Sequence, residues 1–239
     1  RMSTLVKVVR YHLVKPDNLV LIPWAALVVG FIINVMVLAI VNVRIPGTTS
    51  GGQGPVRYMG TLATLFVTFA VAGVTSATRA LPLGLSLGLS RRSFYLGTVL
   101  TAVSLAVVYG LILALLQAIE RWTHGWGLSM GVFRAPFVLE GPWYLTWLMS
   151  FVLLTLVFVW GVWFGLVYRR WNLIGLWAFV AAQVIVGVAA ALVVTWIGAW
   201  HHVGHFFVTV SAPGIAGMIA LLATLLLAGG FATVRRAAV

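Results

Sequence analysis

Six stretches of this chain, 19–41, 58–78, 94–119, 143–167, 172–197 and 213–234, are apolar and free of charged side chains. Each holds about 20 residues or more, enough at 1.5 Å per residue to cross the roughly 30 Å hydrocarbon core of a bilayer as an α-helix. In lipid no water is present to bond the backbone, so a crossing segment must pair its own amides, as a helix does. The pattern predicts an all-α, polytopic membrane protein with a six-helix transmembrane domain over 19–239. Pro23 and Pro213 stand near the starts of the first and last runs, where a missing amide hydrogen costs least.

Composition closes the alternatives. Hydrophobic residues make up 62% of the 239 positions and charged ones 8%, against roughly 25% charged in a soluble domain. A net charge of +12 would suggest nucleic acid in a soluble chain. Here the basic residues fall between the apolar runs, so topology accounts for them and no nucleic-acid partner is expected. The chain has no Cys, which excludes disulfides, thiolate metal sites and cysteine nucleophiles.

Residues 1–18 mix Arg1, Lys7, Arg10 and Lys15 with Leu5, Val6, Val9, Leu13 and Val14 at helical spacing, which predicts a cytoplasmic amphipathic helix lying on the membrane. A cleaved signal peptide is not expected, because the first run is long and no small-residue cleavage site follows it. Six crossings place both termini on one side. That side also carries Arg79, Arg91, Arg92, Arg169, Arg170, Arg235 and Arg236, whereas Arg44, Arg57, Arg121 and Arg134 lie opposite. By the positive-inside rule both termini are cytoplasmic. On the outer face, Ile45 to Pro55 reads as a Gly-rich loop. The stretch 120–142, with Trp122 and Trp126, reads as a short outer helix or re-entrant segment, and Trp196 to Ser211 reads similarly.

Several patterns suggest chemistry and fail on context. Gly84, Leu85, Ser86, Leu87 and Gly88 spell G-x-S-x-G, but a nucleophile elbow needs a strand, a turn and a helix. This string lies between two membrane helices, where small residues serve helix packing. His201, His202 and His205 form H-H-x-x-H, which lacks the Glu that acts as base in zinc proteases. They read as histidines wetted at the outer surface, with no metal expected. Asp17, Glu120 and Glu140, the only acidic residues, all fall outside the apolar runs, so no intramembrane carboxylate relay is present for a proton- or cation-driven carrier. Polar side chains at depth, among them Thr64, Thr68, Thr101, Ser104, Gln117, Thr155 and Thr195, predict interhelical hydrogen bonds. Asn34 and Gln183 are the candidates to line a substrate path. There is no P-loop and no internal repeat of the kind that marks inverted-repeat carriers. No catalytic residue is assigned, and any nucleotide-driven function must come from a partner.

The segment Leu81 to Gly97 reads LPLGLSLGLSRRSFYLG. It resembles the link between the second and third helices of ABC type-2 permeases from high-GC Gram-positive bacteria, with Leu89, Ser90, Arg91, Arg92, Tyr95 and Gly97 matching the pattern. The resemblance implies the membrane subunit of an ABC exporter in a bacterial plasma membrane, working with a second permease copy or a homologous one. Two separate ATPase subunits would bind ATP and magnesium; this chain would hold no cofactor. The coupling helix of that family would map within the 79–93 link onto Pro82 to Arg92, with Pro82, Gly84, Gly88, Ser90, Arg91 and Arg92 as coupling residues. The transported substrate would be an amphipathic or hydrophobic drug, peptide or lipid. The alternative is a non-transporting scaffold or assembly subunit of a membrane complex, since fold does not determine function.

Overall fold

A computed structural model describes residues 22–44, 57–58, 61–86, 88, 90–126, 130–133 and 142–236. The expected amphipathic helix over 1–18 and the Gly-rich outer loop lie outside the described residues, as do Asp17 and Glu140. The described chain is helical apart from short turns and one pair of two-residue strands. In order these elements are α1 (Ile22–Arg44), β1 (Arg57–Tyr58), α2 (Thr61–Thr75), a π-helical turn (Ser76–Ala80), α3 (Leu81–Ser86), α4 (Arg91–Trp122), β2 (Met130–Gly131), α5 (Trp143–Trp196), α6 (Trp200–Thr209) and α7 (Ala212–Arg236). β1 and β2 pair in parallel, Arg57 with Met130 and Tyr58 with Gly131. Among the described residues, four helical stretches are long and apolar enough to cross a membrane: Leu62–Ser86, Arg92–Trp122, Trp143–Trp196 and Ala212–Thr233. The protein is therefore membrane-embedded.

Local signals place the helix starts. Pro23 and Pro213 are each the second residue of their helix, where neither amide is needed. Ser90 caps α4, its Oγ accepting from the Ser93 amide at 3.1 Å. α5 is 54 residues long; a straight helix of that length would span about 80 Å, well over twice the hydrocarbon core. It is not straight. Asn172 sits at φ 53°, ψ −152°, well outside helical geometry. The ring centroids of Phe164 and Phe179 are 5.2 Å apart, whereas fifteen residues of straight helix would separate them by about 22 Å. The chain thus reverses at Asn172, giving α5 two arms that meet at the Arg169–Asn172 corner, as the gap between the expected runs 143–167 and 172–197 implied.

The core forms where α2, α4 and the first arm of α5 meet, with Leu65, Ala106, Tyr109, Met149 and Leu154 buried. Small residues set that distance. A Cβ at Gly161 would run into the carbonyl oxygen of Ala70 and one at Gly73 into that of Phe158; a Cβ at Gly165 would stand 2.6 Å from Cβ of Ala77. Backbones in direct contact are the means of helix association in lipid, where burying apolar surface gives little net gain. α1 packs on α2, and its aromatic rings reach α4 and the segment that follows it. Trp24 stacks on Tyr109 at 5.2 Å, and Phe31 meets Trp126 edge-on at 5.2 Å.

Two expectations are corrected. Glu120 does not open a polar outer stretch: α4 continues to Trp122 and the Glu120 side chain is 1% exposed. The described part of the stretch expected as a short outer helix or re-entrant segment is folded back onto this carboxylate. Glu120 Oε2 accepts from the backbone amides of Val132 at 3.0 Å and Phe133 at 2.9 Å and from the Trp126 indole N–H at 3.3 Å. The stretch expected near Trp196 to Ser211 does form a short helix, α6. The second correction concerns the membrane hydroxyls. Thr68, Thr101, Thr155 and Thr195 do not bridge helices; each donates to the carbonyl four residues earlier, at 2.6 to 2.9 Å. A short hydroxyl reaches its own helix first. The long side chains make the crossings: Tyr95 Oη donates to the Leu227 carbonyl at 2.8 Å and Trp163 Nε1 to that of Leu226 at 2.9 Å.

Candidate functional site

The end of the molecule where α2–α3 leads into α4, and where α5 turns its corner, carries Arg79, Arg92, Arg169 and Arg170, all exposed. Helix continues from Thr61 through the π turn to Ser86, and α4 begins at Arg91. The connection is thus 87–90, much shorter than the expected 79–93 link, and Pro82 to Ser86 belong to a helix that prolongs α2. Long apolar sequence on both sides lets both helices run past the hydrocarbon and leaves a tight turn between them.

Each candidate coupling residue has a definite place in that turn. Gly84 is buried beneath the Phe94 ring, where a Cβ would stand 2.5 Å from ring carbon Cδ2; glycine is what allows α3 to lie against the start of α4. Gly88 adopts φ +79° with open space around it, and its amide donates to the Leu85 carbonyl at 3.0 Å. Here glycine serves the left-handed turn itself. Ser90 caps α4 and its hydroxyl donates to Ser93 Oγ at 2.8 Å. The guanidinium of Arg92 lies 5.9 Å from the Phe231 ring centroid on α7, a cation–π approach that holds the side chain over the bundle end. Arg91 occupies the first turn of α4, and its side chain is not among those described. Pro82, Leu83, Ser86, Gly88, Ser90 and Arg92 are exposed. This leaves a small, mixed apolar and basic surface. Glu120, the only acidic residue among the described residues, is 28 positions from Arg92 along α4, about 42 Å of helix. No described carboxylate of the chain can neutralise this end.

Behind this surface lies a cavity of about 30 Å³, between the π turn, α3, α4, the first arm of α5 and α7. Ser76, Leu81, Phe94, Thr98, Thr155 and Leu227 are among its walls. Ser76 Oγ donates to the Ala72 carbonyl and Thr155 Oγ1 to that of Phe151, both at 2.8 Å. Thr98 Oγ1 is buried with no hydrogen-bond partner. No periodicity argument pointed to this place, since the residues around the turn are apolar or small on nearly every face and a one-residue shift of the pattern leaves no mark.

The other candidates stand apart from it. Asn34 is half-buried on α1, and its amide donates to the Gly30 carbonyl at 2.8 Å. Gln183 is half-buried on the second arm of α5, its Nε2 buried and without a hydrogen-bond partner. His201, His202 and His205 lie exposed on α6, with the rings of His201 and His205 6.3 Å apart. Among the described residues no group of three or more His, Cys, Asp or Glu is arranged to hold a metal. Residues that the sequence reading missed include the Gly161–Gly165 pair, whose four-residue spacing is itself the sign of a close helix contact. Glu120 was also missed, although a lone carboxylate ending a charge-free run is a signal in its own right. No family model matches the chain, and neither the curated proteins nor the solved structures include a similar one.

Proposed function

We propose that this chain is the membrane-spanning permease subunit of an ATP-binding cassette exporter, moving an amphipathic or hydrophobic substrate with ATP hydrolysed by separate cytoplasmic subunits. The observation that carries the reading is the turn at 82–92. Gly84 and Gly88 fold it tightly, Arg92 stands exposed, and no described acidic group of the chain lies nearby, so the surface is open to an acidic partner. Each arm of α5 is longer than the about 20 residues that a crossing needs. The two arms with α1, α2–α3, α4 and α7 make six crossings, and with the basic end inside both termini are cytoplasmic. Two ATPase subunits, a second permease copy and a bacterial plasma membrane complete the assembly that the sequence resemblance implies. Asn34 and Gln183 are candidates to line the substrate path.

Affinity purification in mild detergent, followed by identification of the associated subunits, tests this directly. An ATPase is expected to co-purify with the wild-type chain. Reversing Arg91 and Arg92 together to Glu is expected to leave membrane insertion normal and to abolish that association and substrate-stimulated hydrolysis. The same reversal at Arg169 and Arg170, where the Arg170 guanidinium stacks 4.9 Å over Trp171, is expected to be milder. Wild-type ATPase binding by the Arg91→Glu, Arg92→Glu variant would sink the coupling assignment. A scaffold is the second reading, favoured by the exposed apolar second arm of α5. It takes over if other membrane proteins co-purify and no ATPase does.

A further inference from the structure

The π turn Ser76–Ala80 separates two kinds of support. Before it, α2 is locked to the first arm of α5, backbone against backbone, at Gly73 and Gly161, and Gly165 meets Val74 and Ala77 where the turn begins. After it, α3 rests on α4 where Gly84 fits beneath Phe94. The cavity lies beside the turn and is walled by both sides of it: Ser76 and Ala77 from the turn, Leu81 from α3, Phe94 and Thr98 from α4. Thr98 is 6% exposed and its hydroxyl is unbonded. Packing around the turn is therefore incomplete, beside a contact between α2 and α5 that is backbone against backbone.

A π turn holds one residue more than an α turn, and here the Leu81 amide reaches back five residues to the Ser76 carbonyl. Pairing that amide with Ala77 instead would restore α geometry and pass the spare residue into α3. The helix beyond would then rotate by about 100° and shift about 1.5 Å along its axis. The place now held by Gly84 would pass to a neighbour, Leu83 or Leu85, and a leucine there would strike the Phe94 ring. Phe94 lines the cavity, so the edge of its ring has about 30 Å³ into which it can tilt. We propose that the π turn and this cavity form a slip joint, in which α3 rotates on the clamped α2 while the Phe94 ring tilts toward the cavity. The functional part of this inference rests on α3 belonging to the ATPase-docking surface: a push on α3 would reach α4 and α5 through this joint.

Hydrogen–deuterium exchange on the whole chain in phosphatidylcholine–phosphatidylglycerol nanodiscs tests the joint without any partner. Deleting Thr78 removes the spare residue and leaves both flanks in register, so Leu81 and Gly84 keep their faces. Amides over 77–86 are expected to exchange about tenfold faster in the wild type than in the deletion variant, because only the wild type has a second register to visit. Equal exchange overturns the proposal. Ala102→Leu fills the cavity from α4 without altering α2 or α3, and is expected to slow the same amides severalfold. Unchanged exchange in that variant removes the cavity from the joint and overturns the proposal as stated. Where an ATPase co-purifies, the Thr78 deletion should still bind it but lose most ATP-driven transport; transport at the wild-type rate overturns the functional part. Failure of the wild-type chain to bind any ATPase sinks the coupling reading alone, since the exchange measurement does not depend on it.

Discussion

The two arms of α5 are both apolar and both carry glycines, yet they have opposite environments. In the first arm Gly161 and Gly165 meet α2 so closely that neither could carry a Cβ, and Leu154, Phe158 and Val159 are buried. In the second arm Gly187 has nothing within 4 Å of where its Cβ would be, and the same is true of Gly204 on α6 and Gly217 on α7. Ile174 is 84% exposed and Trp196 92%. Hydropathy is therefore silent about which arm is core. In lipid an apolar side chain gains little by leaving its neighbours for another helix, so contact is decided by shape, wherever two backbones approach closely.

The largest effect is expected where that contact is closest. Gly161→Leu drives a side chain into the α2 backbone at Ala70, which cannot yield as a side-chain tip can; a loss of about 3 kcal/mol or more is expected. It should appear as aggregation on size-exclusion chromatography in detergent. A monodisperse variant with wild-type thermal stability would dissolve the distinction between the arms. Next comes Glu120→Ala, which strips the partner from two buried backbone amides and one indole N–H. About 2 to 3 kcal/mol is expected, read as a lower midpoint of thermal unfolding, with Glu120→Gln milder. Trp163→Phe removes the bond to the Leu226 carbonyl that ties the first arm to α7, for about 1 kcal/mol. The smallest effect belongs to the open arm. Gly187→Ala should raise stability slightly, by about 0.5 to 1 kcal/mol, because Ala favours helix and the space is empty. If the alanine instead weakens association between copies of the chain, measured by mass photometry in detergent, the second arm is an interface and not a lipid-facing surface.

The helices were legible because each is local. Charge-free runs of sufficient length, Pro23 and Pro213 in their first turns, and the Arg169–Arg170 pair before Asn172 are signals carried by consecutive residues. The hydroxyls were misread for a similar reason. Type and depth said that Thr68, Thr101 and Thr155 need partners in lipid, but the nearest acceptor is on their own helix. At the candidate site, Gly84, Gly88, Ser90 and Arg92 were visible as a string. That Gly84 makes room for Phe94 while Gly88 makes a left-handed turn is a distinction the string does not contain. The short connection at 87–90 was not visible, since Leu81 to Ser86 are apolar enough to continue α2.

By itself the sequence determined the class of solvent, the helical content and the approximate extent of the apolar runs. All three follow from hydropathy and backbone bonding, which operate along the chain. Tertiary structure decided which glycines are in contact, that Glu120 is a buried clasp for the 130–133 loop, that α5 doubles back, and that a π turn with a cavity separates α3 from α2. Those features depend on residues far apart in sequence approaching within a few ångströms. Between apolar helices in lipid, such approach is set by the fit of backbone and side-chain shapes, for which no single run of residues carries a signature.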